Sequence, residues 1–106
     1  MTENKAPQWT MRTIPNHVRN YLTFTTRNWD KDLCLDISQC EKLEVPKEAV
    51  EKLKDDYMRF VKLTNELALG SPREFSRWDS EIHLVYFNFR QTAHLLIRKA
   101  IGKEVK

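Results

Sequence analysis

Between residues 71 and 101 the apolar side chains keep one unbroken period, which restricts the possible folds more than any other feature of this sequence. At about 100° per residue, Phe75, Trp78, Ile82, Val85, Tyr86, Phe89, Ala93, Leu96, Ile97 and Ala100 fall within a stripe roughly 120° wide. A stripe of that width is the buried face of a long amphipathic helix. Its start carries a capping pattern: Ser71 as N-cap, Pro72 at the first helical position, and Glu74 closing the box.

Turn punctuation is scarce. Two glycines and four prolines in 106 residues favour a few long elements over many short strands. Residues 46–69 read as a second helix, opening at Pro46, with Val50, Leu53, Tyr57, Phe60, Val61, Thr64, Leu67 and Ala68 on one side and Gly70 as its stop. The connection to the third segment is so short that the two must run antiparallel as a helical hairpin over 46–101. Upstream, Pro15 ends a stretch in which Trp9, Met11 and Ile14 can pin the chain to the core. Val18, Leu22, Thr25, Trp29, Leu33, Ile37 and Cys40 then recur at helical spacing over 16–41. That stripe drifts by about a quarter turn, which predicts a bent helix or a division with Asp30 or Asp32 capping a second piece.

The expected class is therefore a small all-α bundle of three or four helices built on the hairpin. It forms a single domain over 1–106, with 1–8 and 103–106 as flexible tails and the last helix fraying at Gly102. A small α+β fold is the alternative, because residues 21–29 and 81–89 are rich in aromatic and β-branched side chains.

Composition narrows function mainly by exclusion. Apolar residues at 41% and charged residues at 31% describe an ordinary globular chain. No apolar run reaches the roughly 20 residues of a membrane span and none resembles a leader, so a cytoplasmic protein is expected. Cys34 and Cys40 do not make a metal-binding or disulfide pattern, and two glycines leave no phosphate-cradling loop. His83 and His94 stand about three turns apart on one helix side, too far to share a metal. A histidine-dependent enzyme would need His17 or an acid to converge with them, and is a remote alternative. No cofactor, metal or small-molecule substrate is expected.

Two features point to macromolecular partners. Leu84 and Leu95 project away from the main stripe of the last helix, and Phe87 lies between the faces with His83, Arg90 and His94. The leading expectation is accordingly a non-enzymatic regulatory module that binds another protein or itself, with Leu84, Phe87 and Leu95 as apolar anchors and Arg90 and Arg98 orienting an acidic partner. The other feature is charge: both ends are basic, whereas residues 30–81 hold thirteen acids against nine bases. If the ends lie together, Arg12, Arg19, Arg27, Arg90, Arg98 and Lys99 form a patch suited to sequence-nonspecific nucleic-acid binding. Within 46–69, Glu48 with Lys52, Asp55 with Arg59 and Lys62 with Glu66 are spaced to steady a solvated helix.

Overall fold

The computed structural model describes residues 8–105, with side chains through Gly102. Three helices account for most of it: α1 (Asn16–Lys42), α2 (Lys47–Leu69) and α3 (Phe75–Val105). Each packs on both others, so α1 and α3 run parallel with α2 antiparallel between them. The all-α hairpin architecture expected from the periodicity is what forms.

The first segment is one continuous helix, neither divided nor extended. Asp30 and Asp32, the proposed caps, are occupied sideways: Cys34 donates its thiol to Asp30 at 3.6 Å, and the Tyr86 hydroxyl donates to Asp32 at 2.8 Å. The threonines that argued for a strand turn their hydroxyls back onto the helix, Thr23 to the Arg19 carbonyl and Thr26 to that of Thr23. Residues 81–89 are helical as well, and the described residues contain no strand beyond one isolated bridge between Thr10 and Glu74.

That bridge explains where α3 begins. The Met11 N–H donates to the Arg73 carbonyl at 2.8 Å, and the Phe75 N–H donates to the Trp9 carbonyl at 2.7 Å. Lateral pairing thereby holds residues 73–74 extended and satisfies a first-turn N–H that a capping box would otherwise serve. Helix α3 starts at Phe75 rather than Ser71. The Ser71 hydroxyl instead donates to Glu66 and accepts from the Arg73 N–H. At the other end α3 continues past Gly102 to Val105. The expected flexible tails otherwise fall outside the described residues, apart from exposed Gln8.

The core is assembled as the stripes predict. Met11, Leu33, Leu53, Phe60, Trp78, Ile82 and Phe89 are almost fully buried, each such side chain stabilising by about 1.5–3 kcal/mol relative to exposure. Trp78 also donates its indole N–H to the Leu63 carbonyl across the α2–α3 interface at 2.8 Å. Leu63 belongs to the core although it lies outside the predicted α2 stripe, whereas Ala68, on that stripe, is exposed in the last turn of α2.

Two arginines tie the connections down. Arg19 donates to the carbonyls of Leu67 and Met11, fastening the N-terminal segment across the end of α2. Arg73 grips both carboxylate oxygens of Glu66 at 3.0 and 2.9 Å and pairs with Glu81 on α3. These carboxylates hold its proton more firmly than usual. The spacing predicts pairs within α2 for Glu66 and Arg59, yet Glu66 pairs with Arg73 in the α2–α3 connection and Arg59 reaches Glu81 on α3 at 3.9 Å.

The α1–α2 turn uses a left-handed residue without a glycine. Glu44 has φ 58°, its N–H donates to the Glu41 carbonyl, and the Val45 N–H reaches back to Cys40 at 3.0 Å. This double closure caps α1 while burying Val45 beside Cys40. Glu44→Gly is expected to stabilise the fold by about 0.5–1 kcal/mol, because relief of left-handed strain exceeds the added freedom of the unfolded chain. Urea unfolding checks it: an unchanged or lower midpoint contradicts the assignment.

Candidate functional site

The outer surface of α3 is the candidate site. Its core side is saturated by Trp78, Ile82, Val85, Phe89 and Ala93, so helical geometry forces Leu84 and Leu95 onto the far side. Leu84 is 61% exposed, Phe87 57% and Leu95 56%. Phe87 does not stand free: its ring lies edge-on to Tyr86 at 5.3 Å and within 6.3 Å of Trp29 and 6.1 Å of His83. Trp29 in turn stacks on Tyr86 at 4.3 Å. Aromatic neighbours thus hold Phe87 in place on the α1 side of the ridge while leaving more than half of it in water.

Leu95 and Arg98 border a shallow apolar depression of about 480 Å³, shared with Thr92, Leu96 and Lys99. A second hollow adjoins it, between the Leu43–Pro46 turn and Leu96, Lys99 and Ala100. Leu84 lies further up the helix beside Arg77 and Ser80.

Arg90 is turned inward. Its guanidinium lies 2.9 Å from Asp36 and 3.1 Å from Asp32, both on α1, and it donates to the Tyr86 hydroxyl. The charge expected to orient a partner is therefore committed to the α1–α3 seam. Asp36 shows why: it sits on the buried stripe of α1, where loss of water pushes its carboxyl up, and Arg90 and His94 pull it back toward the charged form. Burial opposes the charge of Arg90, but Asp36, Tyr86 and Asp32 outweigh it and raise its pKa. Burial, then the hydrogen bond to Asp32, raises the Tyr86 hydroxyl. The Arg90 Nε and the facing Asp36 oxygen are sealed from solvent against each other.

The structure separates the cations proposed as a nucleic-acid patch. Arg19 is half-buried on backbone carbonyls and Arg90 lies in the seam, leaving Arg12 ahead of α1, Arg27 on α1, and Arg98 with Lys99 near the end of α3 exposed. The histidines also part: His83 contacts Asp79, His94 lies 3.0 Å from Arg90 and 3.8 Å from Asp36, and His17 is exposed on the first turn of α1. No group of metal-ligating side chains occurs among the described residues. Nor is any helix among them long and apolar enough to cross a membrane.

Three further exposed apolar residues, Tyr21, Phe24 and Leu35, belong to α1. They lie off its core stripe, and the argument that singles out Leu84 and Leu95 finds them equally well. Asp36 carried its own signal as an acid set among Leu33, Ile37 and Cys40. No protein-family model, curated protein or solved structure matches the chain.

Proposed function

We propose that this protein is a non-catalytic interaction module of regulatory type, which binds a protein partner, a second copy included, through the outer ridge of α3. The observation that carries this reading is the row Leu84, Phe87 and Leu95, all more than half exposed on one side of a helix whose opposite side is packed. Water contact with that much clustered apolar surface is unfavourable by about 25 cal/mol per Å², and covering it drives association. Arg98 beside Leu95 supplies the charge that orients the contact, since Arg90 is engaged within the fold.

The ridge is supported independently of what binds it. Seam contacts to α1 fix α3 from one side and Trp78 and Arg73 fix it from the other, so the anchors are presented on a rigid element and little ordering is needed on binding. Replacing both leucines, Leu84→Ser/Leu95→Ser, is expected to leave helicity and thermal stability near wild type while abolishing association, read by circular dichroism alongside light scattering and cross-linking. Association that survives in a folded double variant would remove the reading.

A further inference from the structure

We propose that the outer side of α1 binds single-stranded nucleic acid, stacking bases on Tyr21 and Phe24 and seating phosphates on Arg27, Lys31 and Lys42. This surface belongs to a different helix from the α3 ridge, and it stands or falls independently of what that ridge binds.

The charges of α1 are sorted by direction. At about 100° per residue, Tyr21, Phe24, Arg27, Asn28, Lys31 and Lys42 fall within a stripe roughly 120° wide, opposite the side that carries Leu33 and Cys40 into the core, and all six are exposed. No acid shares that stripe. The carboxylates of the helix point elsewhere: Asp32 and Asp36 to Arg90 on α3, Glu41 to Lys54 on α2 at 3.1 Å, and Asp30 to the Cys34 thiol. Asp30 stands three residues past Arg27, a spacing that would let it neutralise that cation, yet it faces Tyr57 of α2 and pushes the Tyr57 hydroxyl up. Among the described residues, none of Arg27, Lys31 and Lys42 pairs with a carboxylate. A helix that is merely solvated mixes its signs, as α2 does with exposed Glu51, Lys52, Asp55 and Arg59. The outer side of α1 carries one sign only.

The side chains between those cations select among anionic partners. Tyr21 and Phe24 are 68% and 67% exposed and stand about one turn apart, so each ring has a free face for an unstacked base. Arg27 and Lys31 follow on the next turns, about 6 Å apart along the axis, and Asn28 beside them can both donate to and accept from a base edge. A duplex keeps its bases stacked and offers these rings nothing. An anionic lipid surface fits less well, because Asn20 and Asn28 flank the two rings and the inner side of α1 is spent on the core, leaving no apolar face to sink below the headgroups. The net charge of +3 draws a polyanion toward the whole chain.

Fluorescence anisotropy of the full chain with labelled oligo(U) and oligo(dT) of about 20 nucleotides tests the surface. Dissociation constants of about 1–100 µM at low salt are expected for both, with log affinity falling against log salt at a slope of about −2, or roughly 0.7 for each of three phosphates. Arg27→Ala/Lys31→Ala should flatten that slope by about 1.4, whereas Tyr21→Ala/Phe24→Ala should weaken binding at least about tenfold with the slope kept. Two folded controls, Lys52→Ala/Lys62→Ala on α2 and Leu84→Ser/Leu95→Ser on α3, should bind within about threefold of wild type, since neither touches the stripe. Circular dichroism confirms that every variant remains helical. Absence of binding to both oligonucleotides at low salt overturns the proposal and leaves the α3 ridge untouched. Equal weakening by the α2 control reduces the effect to net charge and overturns the site, and loss in the α3 variant moves it to the other helix. A duplex bound as tightly as a single strand, or uptake by phosphatidylserine vesicles in preference to either oligonucleotide, overturns the stated partner.

Discussion

Trp78→Ala is expected to destabilise the fold by about 3–5 kcal/mol, the usual range for emptying a fully buried tryptophan site. Trp78 is 0% exposed, stacks against Phe75 at 6.1 Å and donates to the Leu63 carbonyl, so this one side chain adds both packing and a hydrogen bond to the α2–α3 interface. Small domains hold only about 5–15 kcal/mol in total. The melting temperature should consequently drop by about 15–30 °C, and the variant should be partly unfolded near 37 °C. Trp78→Phe keeps most of the burial but loses the indole N–H, and about 1–2 kcal/mol is expected there. Chemical denaturation of both variants checks the pair; a loss below about 1 kcal/mol for the alanine variant would show that Trp78 is not central to the core.

Arg90→Ala should be nearly as damaging, and its effect should depend on pH. Removing the guanidinium leaves the Asp36 carboxylate buried with only His94 nearby, an arrangement that costs about 2–4 kcal/mol at neutral pH. The sign of the pH effect follows from Asp36. Its native pKa already lies above the ordinary 3.8 through burial, and loss of Arg90 removes the largest opposing influence, so it rises further. A carboxyl whose native pKa is raised binds its proton more tightly in the folded chain. Stability therefore improves as pH falls from neutrality through that raised value, and the ionised form carries the penalty above it. The destabilisation caused by Arg90→Ala should shrink toward pH 5 and be largest at pH 7 and above. The paired replacement Asp36→Leu/Arg90→Met should recover much of the loss, since neither partner is then left uncompensated. Equal destabilisation at both pH values would sink this account of the seam.

This seam also shows where sequence and structure part. The stripe of α3, the hairpin and the stop at Gly70 are legible because they depend on contacts within a few residues: period, a short connection and a glycine at φ 84°. The continuity of α1 is not legible. Asp30 and Asp32 look like caps until Cys34 and Tyr86 occupy them, and those partners lie on other turns or another helix. The start of α3 is not legible for the same kind of reason, because the pairing of Trp9 and Met11 with Arg73 and Phe75 spans more than sixty residues of chain.

The candidate site divides along the same line. Leu84, Phe87 and Leu95 could be placed on the outer side from spacing alone, since a helix with one packed face must turn its remaining residues outward. Arg90 could not. Its position on the wheel allows either solvent or seam, and the choice fell to Asp36, an acid that α1 carries into the interface between helices.

By itself, then, the sequence determined that this protein is helical, which residues of α3 face inward and which of its apolar side chains have no place inside. Local periodicity suffices for all of that. Only the tertiary structure decided which cations remain available, where α3 starts and that α1 runs unbroken, because each depends on a polar group meeting a partner that chain proximity does not supply.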